Sequence, residues 1–249
     1  MKKNILFLDI GNTSITLGFK GVGEKVVGIR KIKSQDLEAL IFLLKNVKNI
    51  EKVFMVSVSP GVSKKISQIF KSRFNDIRII KVGKDIEIPI KSRYSNAAVL
   101  GVDRLLNAFY VKEMFGFPAV CVDVGTALTI DLISKRGEFL GGIISPGFKL
   151  CLEALFKNTA LLPYVKIKES KKIYGNTTEQ CITLGVVKSI SALIDRVTEE
   201  YQKKYNNVLY KVITGGDATL IESSIKEKFR HVPYLSLSAL SLICLKMGE

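Results

Sequence analysis

Histidine and tryptophan are nearly missing from this chain: His231 is the single imidazole, and there is no tryptophan in 249 residues. One histidine excludes a two-histidine zinc motif and any mechanism that needs two imidazoles, and it weakens a Ser-His-Asp reading. Cysteine is sparse as well. Cys121, Cys151, Cys181 and Cys244 stand far apart with no C-x-x-C pair, in a chain too long to need disulfide staples, so a reduced cytoplasmic protein with buried thiols is expected. Long apolar runs are also lacking. The opening MKKNILFLD begins like a secretion signal, but Asp9 cuts the apolar run short. The stretch LSLSALSLICL at 235–245 is well below the roughly 20 residues needed to span a bilayer. No membrane partner is expected.

Acidic residues and arginine are in short supply among the charges. The 38 Lys+Arg against 23 Asp+Glu give a formal net charge of +15, and only eight of the basic residues are arginine. Arginine is preferred where phosphates or base edges are read bidentately, so the predominance of lysine favours a solvated exterior over a nucleic-acid surface. The densest basic cluster, KIKESKK at 166–172, comes without helix-turn-helix or zinc-finger spacing and with few aromatics nearby. No nucleic-acid partner is expected.

What is present is an α/β pattern. NILFLD, a GNTS turn and ITLGFK read as strand, turn, strand, with VVGIRKI as a third strand. A helix follows in SQDLEALIFLLKN, where Leu37, Leu40, Ile41 and Leu44 have helical spacing behind an N-cap signal at Ser34. EKVFMVSVSP, SKKISQIFKSRF and DIRIIKV continue as strand, helix, strand, and another helix is expected over about 97–114. FGFPA supplies turn residues near 116, which sets the expected domains at 1–115 and 116–249. The second half repeats the opening: AVCVDVGTALTIDLIS is strand, turn, strand, then GEFLGGIIS is a strand. A helix from about Pro146, a long helix over about 177–205, the strand VLYKVIT, a GGD turn and a helix in ATLIESSIKEKF follow. A last helix over 236–247 is placed to pack back on the first half.

FLDIGNTSIT and CVDVGTALTI both set D-x-G and a threonine at the end of an apolar strand, at the head of each half. A glycine there permits a sharp turn whose backbone N–H groups can form a nest for phosphate oxygens. Asn12, Thr13, Ser14, Thr16, Thr126 and Thr129 add polar donors, and the aspartate's chemical use is to hold a cation beside the phosphates. An ordinary hairpin is the plainer reading of one such turn; two equivalent turns argue against it. Other phosphate loops fail: GFKGVGEK has Glu24 where a P-loop needs lysine, and GVGEKV ends in Val26 rather than glycine. Between the halves, GVDR at 101–104 puts Asp103 near a helix start. A carboxylate there suits a base that takes a hydroxyl proton during phosphoryl transfer, and Arg104 suits an anionic part of the acceptor. TGGD at 214–217 offers a turn that a flat ligand could approach closely.

In order, DIGNT, GVDR, DVGTALTID, GGIISPG and TGG resemble the signature set of type III pantothenate kinases, members of the superfamily of acetate and sugar kinases, Hsp70 and actin. The resemblance implies two ribonuclease-H-like domains of the actin-like ATPase superfamily with an ATP cleft between them. It further implies a transferase that moves the γ-phosphoryl group of ATP to the primary hydroxyl of pantothenate, giving 4'-phosphopantothenate in the first step of coenzyme A synthesis. A homodimer that requires Mg²⁺ or another divalent cation, together with K⁺ or NH₄⁺, is implied too. By the same resemblance, Asp9, Ile10, Gly11, Asn12, Thr13, Ser14, Ile15 and Thr16 form the ATP phosphate loop, with Asp9 near the Mg²⁺. Asp103 is the catalytic base, Gly101, Val102, Asp103 and Arg104 a pantothenate-contacting segment, and Tyr94 an aromatic substrate contact. Asp123 is the monovalent-cation ligand, Thr126 a second ATP contact, and Thr178, rather than its neighbour Thr177, the substrate-binding threonine. The chain departs from the family pattern at SNAA (95–98), where Asn-Pro is frequent, and at Gln180-Cys181.

Overall fold

The computed structural model describes residues 4–45, 47, 49–74, 77–96, 99–167, 172–206 and 208–248. The chain divides into two compact units, one made of Met1–Ile90, Ser95–Tyr110 and Tyr234–Glu249, the other of Lys91–Tyr94 and Val111–Pro233. The division is therefore not a single cut in the sequence.

In the first unit the strands are β1 (Asn4–Ile10), β2 (Ser14–Lys20), β3 (Val26–Lys33), β4 (Ile50–Ser57) and β5 (Arg78–Lys81), with helices α1 (Leu37–Lys45) and α2 (Pro60–Arg73) between the later strands. The sheet order is β3-β2-β1-β4-β5; β1, β2 and β3 are antiparallel neighbours while β4 and β5 run parallel to β1. Short turns can join only antiparallel strands, and the helices α1 and α2 supply the crossovers that the parallel ones need. Leu6, Leu8 and Ile10 pack with Leu40, Leu44, Ile66 and Phe70 of those helices. α3 (Val102–Met114) starts later than the sequence suggests; Ala97 and Ala98, where the expected helix would begin, lie outside the described residues. α6 (Leu235–Lys246) is apolar nearly all round, as a helix buried on most of its surface must be, and it packs against β1, β2, β3 and β4.

In the second unit the strands are β6 (Ala119–Val124), β7 (Ala127–Ile133), β8 (Phe139–Pro146), β9 (Tyr210–Thr214) and β10 (Arg230–His231), and the helices are α4 (Phe148–Lys157) and α5 (Thr178–Lys204). The order is β10-β9-β6-β7-β8, with β7 and β8 antiparallel and β9 and β10 parallel. Counted along its own unit, this repeats the arrangement of the first sheet, the ribonuclease-H-like order, so the match between FLDIGNTSIT and CVDVGTALTI marks the same place in two copies of one fold.

Two expectations fail. The segment 218–229 is not a helix: Ala218–Leu220 makes one 3-10 turn, and Asp195 Oδ1 instead accepts from the N–H groups of Lys226 at 2.9 Å and Glu227 at 3.4 Å. Its helix-spaced Ile221, Ile225 and Phe229 still pack on the core, but from an irregular backbone. Ser34 does not cap α1; Asp36 Oδ1 accepts from the Ala39 N–H at 3.0 Å and does that work. Among the described residues no helix is long and apolar enough to cross a membrane.

Candidate active site

Asp9 is the penultimate residue of β1, opposite Thr16 on β2 and Val56 on β4. Thr16 is in turn opposite Lys31 on β3, which puts Lys31, Thr16 and Asp9 in one cross-strand row. The turn after Asp9 is closed by a 2.9 Å hydrogen bond from the Gly11 N–H to the Ser14 carbonyl. Ser34 braces it from β3's end: its hydroxyl donates to the Gly11 carbonyl at 2.8 Å and its N–H to the Thr13 carbonyl at 3.1 Å. The expected glycine nest is not formed, because neither Gly11 nor Gly125 has a positive φ and both spend their N–H on closing a hairpin. The tip residues Asn12 and Thr13 are exposed and are the groups of this loop that face solvent. Ile10 and Ile15 are fully buried, so their side chains belong to the core and only their backbone is left for a ligand.

Asp103 lies in the first turn of α3, where the helix dipole favours a negative charge. Its Oδ1 accepts from the Arg104 N–H at 2.8 Å. Val102 seats the helix start by filling the space beside Gly83, whose φ is +84° and whose missing β-carbon would fall 2.3 Å from Val102 Cγ2. Arg104 is buried. Burial, above all, and then the Asp103 charge push the Asp9 carboxyl up to about 6, against a hydrogen bond from Ser236 and the Lys31 charge. Burial likewise raises Asp103, opposed by the Arg104 N–H and guanidinium. The first unit thus brings Asp9 and Asp103 together as two carboxyl groups that hold protons more tightly than usual.

In the second unit Asp123 occupies the slot of Asp9: it is opposite Thr129 on β7 and Thr214 on β9. Thr126 is exposed at the following turn. That turn is packed from below. A β-carbon at Gly147 would fall 2.1 Å from the Gly125 carbonyl oxygen, and one at Gly215, whose φ is +102°, would fall 2.3 Å from the Val124 carbonyl oxygen. The space beside Gly215 is taken by the protein's own backbone, so the close packing of this turn itself requires a glycine there. Asp131 is buried and shares the face of Asp123 and Cys121, and burial, then Asp131 and Asp123, push the Cys121 thiol well up. Tyr94 belongs to this unit, half-buried against Phe139 with ring centroids 6.3 Å apart and against Gly141. Thr178 is exposed at the first position of α5, and Thr177 caps that helix through a 3.3 Å bond from the Gln180 N–H. The sequence-derived residues are therefore shared between the units: Asp9–Thr16 and Gly101–Arg104 in the first, Tyr94, Asp123, Thr126 and Thr178 in the second.

Sequence reasoning missed Ser34, Lys31 and Ser236. Ser34 was legible only as a cap, and Ser236 sits in what reads as a purely apolar helix. The basic cluster at 166–172 falls partly outside the described residues, at 168–171.

The family model for type III pantothenate kinase matches residues 5–200. This chain belongs to the type III pantothenate kinase family. A type III pantothenate kinase from Sulfurihydrogenibium sp. is 31% identical over 251 residues, covering 95% of this chain and 97% of the relative. Among solved structures, a Campylobacter jejuni protein assigned to the Baf family of transcriptional activators has a TM-score of 0.65 at 20% identity, covering 98% of each chain. Component A of the (R)-2-hydroxyglutaryl-CoA dehydratase of Acidaminococcus fermentans has a TM-score of 0.58 at 11% identity over the whole of both chains. At such identities these two structures speak to the fold alone.

Proposed function

We propose that this chain transfers the γ-phosphoryl group of ATP to the primary hydroxyl of pantothenate, the entry to coenzyme A synthesis. The observation that carries the reading is Asp103: a carboxylate at a helix start, raised in proton affinity by burial and close enough to Asp9 for their charges to couple. Asp103 takes the proton of the attacking hydroxyl, a bond forms from that oxygen to Pγ, the bond from Pγ to the β,γ-bridging oxygen breaks, and ADP leaves. Such transfer depends mostly on positioning and charge neutralisation, which fits a chain with one histidine.

The donor set fits a divalent cation held in part by substrate. Among the described residues no group of three or more His, Cys, Asp or Glu side chains could hold a metal by itself. Mg²⁺ characteristically takes one or two carboxylates and completes its shell with phosphate oxygens and water. Asp9, directly or through water, is the group that would hold it, and the ion would supply neutralisation of the phosphate charge. Asp123, at the matching place in the second fold copy, is assigned to the monovalent cation, K⁺ or NH₄⁺, and Thr126 to a phosphate contact, following the family pattern.

On the acceptor side, Arg104, Tyr94 and Thr178 are assigned to pantothenate. The capping role of Thr177 supports Thr178 as the contact, since the Thr177 hydroxyl already accepts a backbone N–H. The family pattern further suggests a homodimer in the cytoplasm. An ADP-release assay with Mg²⁺, with and without K⁺, over a panel of acceptor alcohols tests the reading: turnover is expected with pantothenate, and turnover only with another alcohol would replace it.

A further inference from the structure

Tyr94 ends a short excursion of the chain. Residues before and after it belong to the first unit, whereas Lys91–Tyr94 belongs to the second. There the excursion lies on β8, the edge strand of the sheet. The Phe139 N–H donates to the Lys91 carbonyl and the Arg93 N–H to the Phe139 carbonyl, both at 2.8 Å, with Ser92 opposite Phe139 in a parallel bridge. Arg93 also pairs with Glu138 at 3.0 Å. The Tyr94 N–H then donates to Ser92 Oγ at 3.1 Å, a serine turn that ends the pairing.

β8 is irregular at the same place. Its ladder with β7 is regular from Ala127 to Leu132, which pairs with Gly141, but the next residue, Ile133, pairs with Phe139, so Leu140 is left as a bulge. Gly141 has a φ of +103°, open to glycine and strained for any other residue. A β-carbon there would lie 3.4 Å from Tyr94 Cδ2, and the centroid of the same ring is 6.3 Å from that of Phe139. A bulge gives up regular pairing, bends the strand and re-aims what it carries. Here it sets the Phe139 backbone against 91–93 and the Gly141 backbone against the Tyr94 ring.

We propose that this bulge is a specificity device for the acceptor: Phe139 and Gly141 are positioning residues that, with the 91–93 pairing, fix the Tyr94 ring on which the acceptor packs. The first glycine of GGIISPG then has a defined use. The inference rests on the assignment of Tyr94 to the acceptor and deepens it.

The test uses the full chain as wild type, Gly141→Ala, Phe139→Leu, Tyr94→Ala and the Gly141→Ala/Tyr94→Ala double variant. Gly23→Ala controls for backbone strain, since Gly23 has a φ of +63° with nothing within 4 Å of its missing β-carbon. Fluorine NMR of fluorotyrosine-labelled protein reads the Tyr94 ring without substrate, its resonance assigned by its loss in Tyr94→Ala. That resonance is expected to shift in Gly141→Ala and Phe139→Leu and to stay in place in Gly23→Ala. In the same two variants the KM for pantothenate is expected to rise about tenfold, the scale of one aromatic contact, with kcat and the KM for ATP unchanged. Gly141→Ala should add nothing to the KM of Tyr94→Ala, because an effect transmitted through the ring is non-additive. An unmoved Tyr94 resonance, an unchanged KM for pantothenate, an additive double variant or an equal KM rise in Gly23→Ala each overturns the proposal. Phe139→Leu, which leaves Gly141 and the backbone pairing intact, decides if Gly141→Ala does not fold. A wild type that phosphorylates a different alcohol overturns the pantothenate reading alone; the Tyr94 resonance and the KM for that alcohol then decide for the bulge.

Discussion

A β-carbon on Gly101 would stand 2.6 Å from Oδ1 of Asp103. The carboxylate of the proposed base therefore folds back over Gly101, and a side chain at that position would have to displace it. Gly101→Ala is expected to turn the Asp103 carboxylate away and lower kcat by roughly 10²-fold, the scale of a misplacement of about 1 Å. Circular dichroism and Mg²⁺·ATP affinity should stay near wild type. A Gly101→Ala enzyme with normal kcat would show that this packing does not matter to the chemistry.

The Asp9 carboxyl is raised from 3.8 to about 6 in the folded protein. Between those values the folded state holds a proton that the unfolded state has released, so stability falls as pH rises through that window and the cost is complete above about 6. At 1.36 kcal/mol per unit it is at most about 3 kcal/mol. Nucleotide-free Asp9→Asn should therefore melt higher than wild type at about pH 8, and the difference should shrink toward about pH 4. Calorimetric melting across that range checks it; a Tm difference independent of pH would contradict the assigned cost.

Thr177 and Thr178 separate by what each hydroxyl does. Thr177→Ala removes the cap of α5 and is expected to cost about 1 kcal/mol of stability with a modest effect on kinetics. Thr178→Ala should leave the Tm unchanged and raise the KM for pantothenate about tenfold, the worth of one hydrogen bond to a charged or well-oriented polar group. Melting curves and acceptor saturation on the two variants decide; the reverse pattern would move the substrate contact to Thr177.

Much of the fold was legible because apolar runs, turn residues and β-α alternation agree with one another over Asn4–Lys81 and Ala119–Lys204. The aspartates were legible because D-x-G at a strand end recurs in the same slot. What escaped depends on tertiary contact. Ser34 looks like a helix cap but turns back to Gly11, and nothing local distinguishes the two uses of a serine. The helix expected over 218–229 has the right apolar spacing, yet Asp195, far along the chain, captures two of its N–H groups. That Gly215 is needed for close packing against Val124 is likewise a tertiary fact. Ser236 donates to Asn107, far back along the chain, a relationship no local pattern carries.

The central claim is that Asp103 is the base for phosphoryl transfer to pantothenate, and Asp103→Asn tests it most directly. Pantothenate-dependent ADP release, measured with Mg²⁺ and K⁺, is expected for wild type and should fall by about 10²- to 10⁴-fold in kcat in the variant, with Mg²⁺·ATP affinity retained. Full activity in Asp103→Asn, or no pantothenate-dependent release by wild type, would contradict the account.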